Sequence, residues 1–236
     1  IINYRKVWNI QSKNKEQSFA LDLLMDKNIQ LASLIGPAGT GKTLLALASG
    51  VEQIISEKAY KKLIVIKPIQ SVGNDIGYLP GTLEEKLEPW TAPIKDNFNV
   101  LFTSDDVYTK NNKSKGFKSI KPVTNTYLDM LMENGTIEIE AVSFIRGRSI
   151  PNSYIIVDEA QNLSMHELKT IITRAGENTK IVLTGDVEQI DNENVDSYTN
   201  GLSYAVDRFK SYDLAGHVTL IKGVRSRLAT LASKIL

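Results

Sequence analysis

Cysteine is absent from the 236 residues, which removes disulfides, zinc–thiolate sites and thiol nucleophiles together. Histidine is scarce, with only His166 and His217, too few for an imidazole-rich metal centre. No apolar run approaches the roughly 18 residues of a membrane span, and the N-terminus lacks the layout of a signal peptide. The expectation is a cytoplasmic protein with no membrane partner. A strong field of one sign is missing too: 28 Lys and Arg against 27 Asp and Glu leave a net charge of +1. Any nucleic-acid surface must therefore be a local patch rather than a basic domain. With 42% hydrophobic and 23% charged residues, the composition is that of an ordinary globular protein, and the length suits one large α/β domain over 1–236. The chain opens with Ile1 and not Met, which fits a domain cut from a longer protein.

What is present is concentrated in residues 31–46, LASLIGPAGTGKTLLA. Apolar residues run into a glycine-rich turn and then a Leu/Ala-rich helical stretch, which is a strand, a tight loop and a helix. Gly36, Pro37, Ala38, Gly39, Thr40, Gly41, Lys42 and Thr43 fit the phosphate-loop pattern GxxxxGK[ST]. Glycine lets the backbone turn through conformations closed to a side chain, so that its N–H groups surround phosphate oxygens. Lys42 brings charge to the terminal phosphates and Thr43 a hydroxyl to Mg²⁺, at the positive end of a helix dipole. ATP and Mg²⁺ are the implied ligands. A second signal is IIVDEAQ: a buried strand over 154–157 ending in Asp158 and Glu159. Such a Walker B pair places Asp158 to hold the metal through its water shell and Glu159 to orient or deprotonate the attacking water.

Around these, helical spacing of Phe19, Ala20, Leu23 and Leu24 predicts a helix over 14–27 with Asn14 as its cap. Gln17, just upstream of the phosphate loop, either reads an adenine edge or is a solvated capping residue. A helix over 42–55 and a strand over 63–66 follow. Residues 67–81 form a long Pro/Gly-rich loop suited to a substrate or subunit contact. Residues 82–99 read as a helix interrupted at Pro89 and Pro93, with Trp90 as a packing anchor. Residues 103–121 carry Lys110, Lys113, Lys115, Lys118 and Lys121 around Phe117, either a phosphate-touching loop or a solvated insertion. A short helix over 126–132, a strand over 136–141, and Arg146 and Arg148 precede the acidic strand. Ser164 and Glu167 predict a capping box opening a helix to Arg174. A strand over 180–183 leads to TGDVEQID, where Asp186 and Gln189 are candidate γ-phosphate sensors or simply build a turn. A helix over 200–209, a strand over 217–221 and a helix over 224–236 close the chain. These strands alternating with helices predict a three-layer α/β/α P-loop fold, RecA-like, with a mainly parallel sheet and the nucleotide at its carboxyl edge.

GPAGTGKTLLALA, KP followed by IGYLPG, EKLEPW, FIRGRSIPN, IIVDEAQN, KTIITRAG, KIVLTGDVEQID and the terminal VRS together resemble the PhoH-like ATPase family, from about Trp8 to Leu236. The chain resembles in particular the PhoH half of bacterial proteins that carry an N-terminal PIN ribonuclease domain. The resemblance implies a fold related to superfamily 1 helicases and an Mg²⁺-dependent ATPase that assembles as a hexameric ring and acts on RNA, with single-stranded RNA and a PIN domain as partners. It also implies roles: Gln189 as the motif III glutamine, Gln17 on the adenine side, and Arg174 and Arg225 as arginines that line the nucleotide or reach it from a neighbouring subunit. Three departures stand out: Lys67 where the family carries Arg, Val224 where it carries Glu, and a different loop around Glu188 and 192–195. The alternative function is a nucleotide-gated oligomeric scaffold that regulates a PIN ribonuclease without moving along RNA. A P-loop kinase fits less well, because the Asp158–Glu159 pair suits water activation rather than an acceptor hydroxyl.

Overall fold

In a computed structural model of the chain, the described residues are 5–68, 83–102, 124–145, 147–192, 194–196 and 199–223. Residues 69–82, which include most of the loop expected over 67–81, the lysine-rich segment 103–123, Arg146, and residues 224–236 with Arg225 and Arg227 lie outside them.

The sheet grows from apolar runs too short for helices: LIVI, YIIV and IVLT. Its strands are β3 (Leu31–Ile35), β4 (Lys62–Lys67), β5 (Ile137–Ala141), β6 (Ser153–Val157), β7 (Lys180–Gly185) and β8 (Ala215–Thr219), in the order β5-β4-β6-β7-β3-β8, and every pairing is parallel. Parallel strands need helical crossovers, which cover both faces and explain why the runs are apolar throughout. The faces separate by alternate residues. Leu63 and Val65 enter one core with Leu21, Leu24, Leu45 and Phe98, whereas Ile64 and Ile66 enter the other with Leu168, Ile171 and Leu202. The sandwich is thus α/β/α, with α1 (Lys15–Met25), α2 (Lys42–Val51), α3 (Leu83–Phe102) and α4 (Thr124–Glu133) on the first side and α5 (Met165–Ile172) and α6 (Gly201–Phe209) on the second.

Three expectations are corrected, while the six strands of the sheet correspond to the six stretches read individually as strands. A hairpin of β1 (Lys6–Val7) and β2 (Ile10–Gln11) precedes α1, turning at Trp8 and Asn9. Trp8 takes φ 50° and is held by its indole Nε1, which donates to Leu101 O at 2.9 Å, and by an edge contact with Phe102. Helix α3 runs unbroken through Pro89 and Pro93: each proline removes one backbone donor, and burial of Ile94, Phe98, Leu101 and Phe102 along one stripe outweighs that. Strand β8 lies two residues earlier than expected, because its register on β3 ends where β3 enters the phosphate loop, with Ile35 opposite Thr219. Helix α5 stops at Ile172, and Thr173 and Arg174 form a turn. The capping box on Ser164 and Glu167 is present. No described helix is long and apolar enough to cross a membrane.

Candidate functional site

β3 delivers the chain to Gly36 at the carboxyl edge of the sheet. A Cβ on Gly36 would lie 2.1 Å from Leu220 O, so the loop can pass the end of β8 only as glycine. Gly39 and Gly41 have φ of 80° and 93°, in the left-handed region that disfavours a side chain. Gly41 caps α2 without a side chain, so no side-chain oxygen competes for the N–H groups of the first helical turn. Thr40 is buried and its hydroxyl donates to Pro37 O at 2.9 Å, drawing the loop closed. The Lys42 ammonium lies across the loop, donating to Gly36 O at 2.6 Å and Pro37 O at 3.1 Å.

β6 lies two strands from β3, with β7 between them, and because the three run parallel both motifs end at the same edge of the sheet. Thr43 Oγ1 donates to Asp158 Oδ1 at 2.7 Å, and Thr184 Oγ1, on β7, donates to the same oxygen at 2.6 Å. Asp158 is buried, and both hydroxyls meet it at that one oxygen. Glu159 follows with φ 54°, a turn that swings its carboxylate into the cleft. Burial, and next the charge of Asp158, push its pKa above the ordinary carboxylate value, while the bond from Gln161 and the charges of Lys42 and Lys67 pull the other way.

These residues line a cleft of about 710 Å³ that includes Gly39, Gly41, Lys42, Thr43, Glu159, Asp186 and Gln189. It is lined as well by Asn9, Ile10 and Gln11 of the N-terminal hairpin, by Lys13 just after it, and by Asn97 and Val100 of α3. That lining went unread in the sequence, as did Thr184 and Gln161. Thr184 is a lone hydroxyl ending an apolar run, the one sequence signal that points to it.

Gln17 lines the cleft too, but it is buried rather than solvated. Its Nε2 donates to Thr40 O at 3.0 Å and its Oε1 accepts from Lys13 N at 2.8 Å. The amide therefore braces the phosphate loop against the segment leading out of the hairpin. Asp186 builds a turn, its carboxylate accepting from Glu188 N at 3.1 Å, and Gln189 is exposed at the cleft. Arg174 is not brought to the cleft. Its carbonyl accepts from Ile150 N at 2.8 Å, next to the start of β6, at the sheet's amino edge. Arg148 is ion-paired with Glu140 at 3.0 Å and Glu138 at 3.8 Å on edge strand β5.

The donor set suits a hard divalent cation, since Thr43 Oγ1 and Asp158 Oδ1 are adjacent oxygens beside the phosphate loop. Among the described residues no group of three or more His, Cys, Asp or Glu could hold a metal by itself.

The model of the family described as PhoH-like protein matches residues 9–236. Protein PhoH2 of Bacillus subtilis (strain 168) is 52% identical over 231 residues, covering 98% of this chain and 48% of the relative. Protein PhoH2 of Mycolicibacterium smegmatis is 35% identical over 233 residues, with 98% and 48% covered. A PhoH-like protein of Bacillus subtilis is 35% identical over 179 residues, with 76% and 49% covered. The chain thus spans about half the length of the curated relatives it matches. Among solved structures, the Sulfolobus solfataricus SWI2/SNF2 ATPase core in complex with dsDNA is 17% identical with a TM-score of 0.44, covering 92% of this chain and 47% of that one.

Proposed function

The chain belongs to the PhoH-like protein family, and on that premise we propose that it is an Mg²⁺-dependent ATP hydrolase that couples turnover to single-stranded RNA as a ring of identical subunits. The observation that carries the reading is the 2.7 Å bond between Thr43 and Asp158, which joins the phosphate loop to the acidic strand end in one site.

Lys42 exchanges the loop carbonyls for phosphate oxygens, and the backbone N–H groups of the loop and of the first turn of α2 take the remaining anionic charge. Thr43 and Asp158 would hold Mg²⁺, which would supply neutralisation of phosphate charge. Glu159 accepts a proton from water as the water oxygen bonds to the γ-phosphorus and the bond to the ADP oxygen breaks, giving ADP and inorganic phosphate. The nucleoside end lies toward the hairpin wall of Asn9, Ile10 and Gln11.

Among the described residues lining the cleft, none is an arginine. An arginine from a neighbouring subunit meets that need, typically worth about 10³–10⁵ in rate; Arg174, away from its own chain's cleft, and Arg225 are the candidates. RNA contacts fall to residues 67–81, the lysines around Phe117, and Arg146 and Arg148. A PIN ribonuclease domain as attached or separate partner accords with relatives about twice as long.

ATP turnover with and without single-stranded RNA, alongside a mass measurement in solution, tests the proposal. Turnover should rise with RNA, the stimulation should weaken with salt, and the mass should be near six copies. A flat response to RNA in an assembled protein favours the scaffold reading, and a monomer that turns over at full rate contradicts the ring.

A further inference from the structure

Gln161 is buried, and three hydrogen bonds fix its amide. Nε2 donates to Glu159 Oε2 at 2.7 Å and to Gln189 O at 2.9 Å, and Oε1 accepts from Asp186 N at 3.1 Å. The two ends of the amide are not interchangeable: a carboxylate and a carbonyl need donors, while a backbone N–H needs an acceptor. Gly185 packs against the same group, since a Cβ there would come within 2.4 Å of Gln161 Oε1. Glu159 needs such a hold, because its left-handed backbone is unfavourable for a residue with a Cβ and its neighbour Asp158 carries the same charge.

We infer that Gln161 is a positioning residue: it aims the Glu159 carboxylate at the attacking water and ties that aim to the backbone of residues 186–189. One carboxylate oxygen is held by the amide, which leaves the other to take the proton. Because Asp186 and Gln189 line the same cleft, any shift of that loop on nucleotide binding passes to Glu159 through one planar group. The inference rests on the ATP-hydrolase reading and adds to it how the base is oriented.

Gln161→Met keeps the side chain's bulk and removes all three bonds. In the whole chain with ATP and Mg²⁺, kcat should fall roughly ten- to hundredfold, while KM and the affinity for a non-hydrolysable ATP analogue stay within about threefold. Gln161→Asn, whose amide is one methylene short, should show the same split, and serves alone if the Met variant does not fold. Added to Glu159→Gln, either substitution should lower the residual rate by less than about twofold, because the group it acts through is gone. An unchanged kcat, an equal weakening of analogue binding, or the same factor of loss in both backgrounds overturns the inference. A parent chain that hydrolyses no ATP removes the proposed function and this inference with it, whereas an active parent with an unaffected variant removes this inference alone.

Discussion

Gly185→Ala joins stability and catalysis in one perturbation. A Cβ at this position would lie 2.4 Å from Gln161 Oε1 and 2.5 Å from Leu202 Cδ2, against an ordinary contact of 3.4 Å or more. Each neighbour must yield by about 1 Å. Leu202 is fully buried at the start of α6, so its displacement is an overpacking cost of about 1–3 kcal/mol. Gln161 Oε1 sits 3.1 Å from Asp186 N, and a shift of that size breaks the bond, adding about 1 kcal/mol and more if the buried N–H stays unpaired. The sum, about 2–4 kcal/mol, lowers the melting temperature of a domain this size by roughly 5–15 °C. Thermal unfolding reads the first effect and steady-state ATP turnover the second, where kcat should fall with the drift of Glu159. A melting point within about 1 °C of the parent, together with unchanged kcat, would refute the packing argument.

Lys180 gives a pH-dependent expectation. Its buried ammonium donates to Leu23 O at 3.0 Å and Asp26 O at 2.8 Å, closing the end of α1, and burial lowers its pKa from 10.5 to about 8. The folded chain therefore sheds this proton first, so its contribution to stability is full above the unfolded value and is lost as pH falls toward the folded one. The stability of the parent relative to Lys180→Met should rise between pH 8 and 10.5, by at most roughly 3.5 kcal/mol at about 1.4 per pH unit; a flat difference in denaturant unfolding contradicts it. Gln17→Met should raise KM for ATP and GTP by the same factor, because the amide braces Thr40 and Lys13; a loss confined to ATP shows instead that Gln17 reads the adenine. Lys42→Ala should abolish binding of ATP with Mg²⁺ in a calorimetric titration, and normal binding would remove Lys42 from the site.

The sheet was legible because its strands are continuous apolar runs whose alternate residues serve two cores, and the phosphate loop because glycine spacing there answers a steric demand. The hairpin wall was not. Its turn uses Trp8 and Asn9 without the glycine that marks such turns, and its hold comes from Leu101 and Phe102, more than ninety residues away. The two prolines of α3 gave a local signal to stop, which a buried stripe of long-range contacts overrode. Thr43, Asp158 and Glu159 could be read from motif spacing, whereas Thr184 and Gln161 act through partners on adjacent strands and loops, a relation that no spacing along the chain encodes. Arg174 reads as a helix-end arginine, and only the direction of α5, running back to the amino edge, places it away from its own cleft.

The measurement that bears most directly on the site is phosphate release from saturating ATP and Mg²⁺ by Glu159→Gln relative to the parent chain. With Lys42, Thr43 and Asp158 intact, nucleotide should still bind while kcat falls by about 10²–10⁴. A Glu159→Gln rate within twofold of the parent would contradict the assignment of that carboxylate as the base that activates water.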